Sequence, residues 1–169
     1  KKMHLPSTEC LNRIFECEPA RGLLIWRRYT DVLGRWNTQF AGKVAGSRRK
    51  DGYVSVMING KNHLQHRVLW KMATGNDPPK ILDHINGNPS DNRLCNLREA
   101  TSSQNLMNQK SWGTYAKGVF LHRKSGTFCA RIYVNRKCIC LGYFKSTAEA
   151  SEAYIAAAKI HFGEFARAE

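Results

Sequence analysis

Asn59-Gly60 reverses the chain between two short apolar stretches, and the fold has to be arranged around that reversal. An Asn-Gly pair tolerates the positive φ at both central positions that a type I′ turn needs, which makes it the strongest short-range hairpin signal. In "DGYVSVMINGKNHLQH" (51–66), Tyr53, Val54, Val56 and Ile58 lead into the pair as one strand, and a second strand returns from it. The returning strand runs into "HRVLWKMATG" (66–75). There Val68, Leu69 and Met72 fall at helical spacing and Gly75 supplies a stop. Pro78-Pro79 bars any continuation of that helix. The region therefore reads as hairpin, then helix.

The flanks extend the α+β pattern. A short helix around 11–15 and a strand at 23–26 precede the hairpin. After the prolines, 82–85 and 97–100 read as two strands joined by the polar loop "NGNPSDNR" (86–93). Thr101 and Gln104 have capping-box spacing, so a helix begins there with Asn105 in its first turn. The result is a two-stranded ribbon packed against a helix. Residues 108–116 lack periodicity, and the linker is drawn at 111–116, between a unit at 1–110 and a unit at 117–169. The second unit shows strands at 118–122, 127–134 and 138–143. A helix follows, opened by Ser146 and Glu149, with Ala150, Ala153, Tyr154, Ala157 and Ile160 on one side. In its middle strand Phe128, Ala130 and Ile132 form the core face, and Thr127, Cys129, Arg131 and Tyr133 the other. A small three-stranded antiparallel sheet on one helix is the expected form.

Charge bears on the partner. Of 169 residues, 27 are Lys or Arg and 13 are Asp or Glu, a formal charge of +14. Residues 1–112 carry 18 basic and 9 acidic side chains and 113–169 carry 9 and 4, so both units are positive. That distribution suits a polyanion touched along the whole molecule. A hydrophobic content of 42% argues against disorder. No apolar run resembles a signal peptide or a membrane span. Six Cys residues without a CxxC pair point to a reduced, cytoplasmic setting. The chain opens on Lys1, which leaves its natural start open.

"LDHINGNPSDNRLCNLREATSSQN" (82–105) sets an acid beside an imidazole and follows them with amides. Phosphodiester hydrolysis needs a base for water and a cation for the developing charge. Asp83 offers an anionic oxygen and Asn105 a neutral one, a donor set that suits Mg²⁺ or Mn²⁺ completed by water and phosphate. His84 can take a proton from water near neutral pH. Asn105, in a helix's first turn, also brings the positive end of the dipole near a phosphate. Neighbours on a regular strand point to opposite faces, so Asp83 and His84 serve one phosphate only at a twisted strand end. Arg67 is a phosphate-clamp candidate or an ordinary ion-pair partner, His66 a supporting or structural residue, and His63 a surface residue.

His66-Arg67, "DHINGN" (83–88), "DNR" (91–93), "NL" (96–97) and "ATSSQN" (100–105) together resemble the HNH endonuclease signature. The version is that of phage-encoded and homing-type enzymes with a ββα-metal (His-Me finger) core. The resemblance covers about Lys43 to Gln109. It implies Asp83 and Asn105 as ligands of one metal ion, His84 as general base, and Asn96 as the Asn that braces the loop. Asn105 stands where many relatives have His, which implies oxygen-only metal binding, and no structural zinc is implied.

The stretch "KGVFLHRKSGTFCARIYVNRKCICLGYFKSTAEASEAYIAAAKIHFGEFA" (117–166) is similar to the plant ethylene-response-factor (Apetala-type) DNA-binding domain. By that resemblance its sheet enters the major groove, presenting His122, Lys124, Thr127, Arg131 and Tyr133. Arg131 is the best guanine reader. Arg123, Lys124, Arg136 and Lys137 are the better phosphate contacts. Phe120, Cys138 and Cys140 replace Arg and Trp of the plant domains, so their target sequence does not transfer.

The expectation is a metal-dependent endonuclease of duplex DNA, acting in the cytoplasm of a phage-infected bacterium, as monomer or homodimer. A sequence-specific DNA-binding regulator with a silent core is the alternative.

Overall fold

The computed structural model describes residues 4–28, 30, 34–109 and 113–166. Contacts group the chain into two units, Lys1–Ala100 and Thr101–Glu169. Residues 111 and 112 of the expected linker lie outside the described residues. The architecture is α+β, with small antiparallel sheets and short helices. Among the described residues no helix is long and apolar enough to cross a membrane.

In the first unit Ser7 caps α1 (Thr8–Ile14), its hydroxyl accepting from the Cys10 N–H at 3.2 Å. The chain then extends into β1 (Phe15–Glu18), which pairs antiparallel with β2 (Leu23–Trp26). A second helix, α2 (Gly34–Phe40), follows. β3 (Ser47–Arg48), β4 (Val54–Ile58) and β5 (Lys61–Leu64) form a three-stranded sheet with β4 central. Asn59 and Gly60 both take positive φ, 49° and 72°, as the hairpin reading requires. α3 (Gln65–Thr74) starts where β5 ends and stops at Gly75. β6 (Leu82–His84) and β7 (Leu97–Glu99) make the ribbon, with Asp83 opposite Arg98.

One core joins these pieces. Leu11, Ile14 and Phe15 pack with Leu24, Val56, Ile58, Val68, Leu69, Leu82 and Leu97. The N-terminal hairpin, β1 and α2 escaped the sequence reading or were placed only in part. Phe15 and Leu24 tie the hairpin into this core, while α2, with no buried residue, packs Trp36 and Phe40 against Trp26.

His63 is a correction: it is buried, not a surface residue. It sits directly opposite Val56 in the β4–β5 ladder, and opposed residues share a face, so it turns inward with Val56.

In the second unit Thr101 and Gln104 form a complete capping box on α4 (Ser102–Asn108). The Lys117 ammonium donates to the carbonyls of Leu106, Met107 and Gln109, closing the helix's far end. β8 (Val119–His122), β9 (Thr127–Val134) and β10 (Lys137–Phe144) form an antiparallel meander with β9 central. α5 (Thr147–Phe162) lies on it through Ala150, Tyr154 and Ala158. The Ser146 hydroxyl accepts from the Glu149 N–H, but Glu149 reaches back to the N–H of Lys145 rather than to that of the cap itself.

Two expectations fail here. Ile160 is 81% exposed. At 3.6 residues per turn it lies about 120° round the helix from the centre of the face made by Ala150, Tyr154 and Ala158. Cys129 is buried although it belongs to the sheet's non-core face. Arg131 folds over it, its Nε donating to Cys129 Sγ at 3.2 Å while its guanidinium lies 5.9 Å from the Phe120 ring centre.

Candidate active site

Asp83 and His84 are the last two residues of β6, and both are buried. They look to different partners. Asp83 Oδ2 accepts from Arg98 Nε at 3.0 Å across the ribbon. His84 Nε2 meets Asn92 Oδ1 at 3.0 Å, and its ring packs edge-on against His66, with centroids 4.9 Å apart, and Tyr53, at 5.9 Å. Burial, then Asp51 and Asp83, raise the Tyr53 phenol's pKa.

Burial, followed by the neighbouring His84 and Arg67, pushes the pKa of His66 down to about 3. His66 therefore stays a neutral ring against His84 at physiological pH. Its Nδ1 is buried with no hydrogen-bond partner. Arg67 is half-buried, donates to the Pro78 carbonyl at 3.4 Å, and has its pKa lowered by burial.

The asparagines of the loop hold its shape. Asn96 Oδ1 accepts from the Asn86 N–H at 3.0 Å, while its Nδ2 donates to Asn86 Oδ1 and to the Asp91 carbonyl at 2.8 Å. Asn88 N–H donates to Asn86 Oδ1 at 2.9 Å. Asp91 takes a two-pronged contact from Arg93, at 2.8 and 2.7 Å, and one from Asn86 Nδ2 at 2.7 Å. Chiefly through the Arg93 bond its carboxyl is held at about 2. The N-terminal hairpin presses on the same loop. Leu94 N–H donates to the Pro19 carbonyl at 2.9 Å, and Gly22 lies against the Asn92–Arg93 backbone.

Asn105 stands in the first turn of α4, in the second unit. Among the described residues no group of three or more His, Cys, Asp or Glu side chains could hold a metal ion.

Residues 63–107 match the HNH endonuclease family. The HNH segment so defined begins at His63 in β5, contains Asp83, His84, Asn92 and Asn96, and ends within α4 just past Asn105. No curated protein matches the chain. A solved structure described as "DNA binding and cleavage by the HNH homing endonuclease I-HmuI" is similar over 63% of this chain and 57% of that chain. The identity there is 20% and the TM-score 0.42.

Beyond the HNH segment, the sheet's outer face carries the other candidate residues. His122 Nδ1 contacts Ser125 Oγ at 2.7 Å, which in turn contacts Thr127 Oγ1 at 2.7 Å. The His122 ring packs on Tyr143. Tyr133 is 61% exposed beside Arg131. Arg123 and Lys124 are exposed at one turn, Arg136 and Lys137 at the other, where Asn135 and Arg136 both take positive φ.

Reading from sequence missed Arg98, Gln65, Asn92 and Gly22. Arg98 had a signal, a lone cation on the strand that pairs with Asp83. Asn92 lay within the "DNR" motif but was given no role, and its pairing with Gln65, 27 residues away, had no signal.

Proposed function

We propose that this chain is a metal-dependent DNA endonuclease of the HNH, homing-like type, which nicks or cuts duplex DNA by hydrolysing a phosphodiester. The observation that carries the reading is a buried imidazole, His84, tethered at Nε2 and adjacent in the ribbon to the Asp83 carboxylate, within the segment that matches the HNH endonuclease family.

His84 takes the proton from the attacking water. The water oxygen bonds to phosphorus, the bond to the 3′-oxygen breaks, that oxygen takes a proton from solvent, and 3′-hydroxyl and 5′-phosphate ends result. Asp83 and Asn105 would hold one Mg²⁺ or Mn²⁺ ion. The donor chemistry fits, since a carboxylate oxygen and an amide oxygen are both hard oxygen donors of the kind these ions take. When bound, the ion supplies positive charge to the phosphorane and the departing oxygen. Asn96 keeps the loop after His84 in shape, and Arg67 contributes a cation for a phosphate. The 117–169 unit holds the duplex through its sheet, with Arg131 reading a base. His122, Thr127 and Tyr133 lie on the same face, and Arg123, Lys124, Arg136 and Lys137 contact backbone. Two modest binders on one chain raise each other's effective concentration.

The test is supercoiled plasmid incubated with the protein and Mg²⁺ or Mn²⁺, beside His84→Ala. Nicking or linearisation by the wild type, lost in H84A while DNA binding persists, is the expected result. Binding should weaken steeply with salt as Lys and Arg contacts release counterions. Equal cleavage by both proteins would remove His84 from the mechanism, and no metal-dependent cleavage would leave a DNA-binding regulator.

A further inference from the structure

A buried polar chain runs from the backbone of Ala45 to the ring of His84, and each link in it has one orientation open. The Ala45 carbonyl can only accept, so the Gln65 amide must present Nε2 to it, at 2.9 Å. That turns Gln65 Oε1 towards Asn92. An amide oxygen also only accepts, so Asn92 must present Nδ2, at 2.7 Å. Asn92 Oδ1 is thereby turned to His84 Nε2, at 3.0 Å, and an acceptor there requires a proton on Nε2. An isolated amide can be turned end for end; here one backbone carbonyl settles both.

Water is in no position to replace a link. Gln65, Asn92 and His84 are 2%, 2% and 4% exposed. The anchor is itself held, because the Ala45 N–H donates to the Leu24 carbonyl at 2.7 Å. A side chain at Gly46 would meet Val54 Cγ1 at 2.9 Å. Reversing either amide would set oxygen against oxygen in a dry interior, where an unmet polar group is costly.

We infer that Asn92 and Gln65 are positioning residues that hold His84 in the Nε2–H tautomer, so that the lone pair lies on Nδ1 and Nδ1 is the proton acceptor. The acceptor role rests on the nuclease reading; the tautomer does not. A histidine's second nitrogen commonly fixes what its first can do, and this relay does so with two amides and no charge.

Nitrogen-15 NMR of the full chain, at a pH where the imidazole is neutral, reads the tautomer directly. The wild type should show His84 protonated on Nε2 and bare on Nδ1. In Asn92→Leu the two tautomers should mix, and kcat for plasmid nicking should fall about ten- to hundredfold. KM for DNA should stay within about twofold, since the ring and not the binding surface has changed. Asn92→Asp keeps an oxygen for Nε2–H and should hold the tautomer, but at a loss of stability, because its second oxygen faces Gln65 Oε1 where Nδ2 had donated. If N92L does not fold, Gln65→Met, one link further from the ring, should show the same mixing and a smaller kcat loss. A bare Nε2 in the wild type, or folded N92L or Q65M with tautomer or kcat unchanged, overturns the inference. A wild type that shows the tautomer and cuts no DNA leaves the relay standing and overturns the nuclease reading instead.

Discussion

Asp83 and Arg98 face each other across the β6–β7 ribbon, Oδ2 to Nε at 3.0 Å, with side chains 7% and 11% exposed. A buried ion pair need not add stability over an apolar pair of equal shape, but removing one partner leaves an uncompensated charge. Arg98→Met should therefore cost about 3–5 kcal/mol. Asp83→Leu together with Arg98→Met should cost less than the single change. Urea unfolding midpoints with unchanged slopes would measure both. A single variant as stable as the wild type would mean the guanidinium contributes nothing to holding the carboxylate.

Gly22 reaches the site from the opposite end of the unit. With φ at +69°, a Cβ there would lie 2.4 Å from Arg93 N and 2.5 Å from the Asn92 carbonyl carbon. Backbone cannot step aside as a flexible side chain does, so Gly22→Ala should shift the segment that carries Asn92. The left-handed backbone alone costs a non-glycine residue about 1–3 kcal/mol. Gly22→Ala should lower the melting temperature and reduce nicking while leaving DNA binding intact. Gly34→Ala, where no described residue lies within 4 Å of the added Cβ, is the control and should do neither.

His66 gives the fold an acid sensitivity of known sign. Its pKa is about 3 in the folded chain and near 6.5 when unfolded. Between those values the unfolded chain binds the extra proton, so stability falls as pH falls through that window and is fully present above it. The full loss would be several kcal/mol, on the order of 1.4 for each unit of difference. His66→Phe keeps a ring against Tyr53 and His84 without the titrating nitrogen. Stability of the variant between about pH 6.5 and 3 should decline less steeply than that of the wild type. Parallel curves would show that His66 is not the group responsible.

Local signals carried far along this chain, and they did so where one or two residues decide the backbone by themselves. Asn59-Gly60 specified a hairpin, Thr101 and Gln104 a helix start, and the alternation in 127–134 a central strand, because turn dihedrals, caps and side-chain period are local physics. The candidate chemistry could be named only from "DHINGN" together with its ordered partners out to Asn105, because an Asp-His-x-Asn-Gly string alone is more often a turn.

Tertiary structure alone decided how those groups are held. His63 turned inward because Val56 lies opposite it, Cys129 was covered because Arg131 folds across it, and Ile160 fell on the side of α5 that no sheet covers. The relay from Ala45 through Gln65 and Asn92 to His84 spans three separate stretches of chain that meet only in the packed unit. Hydrogen-bond direction depends on which acceptor lies at the far end of a buried chain of amides. That is a property of juxtaposition, and no run of neighbouring residues contains it.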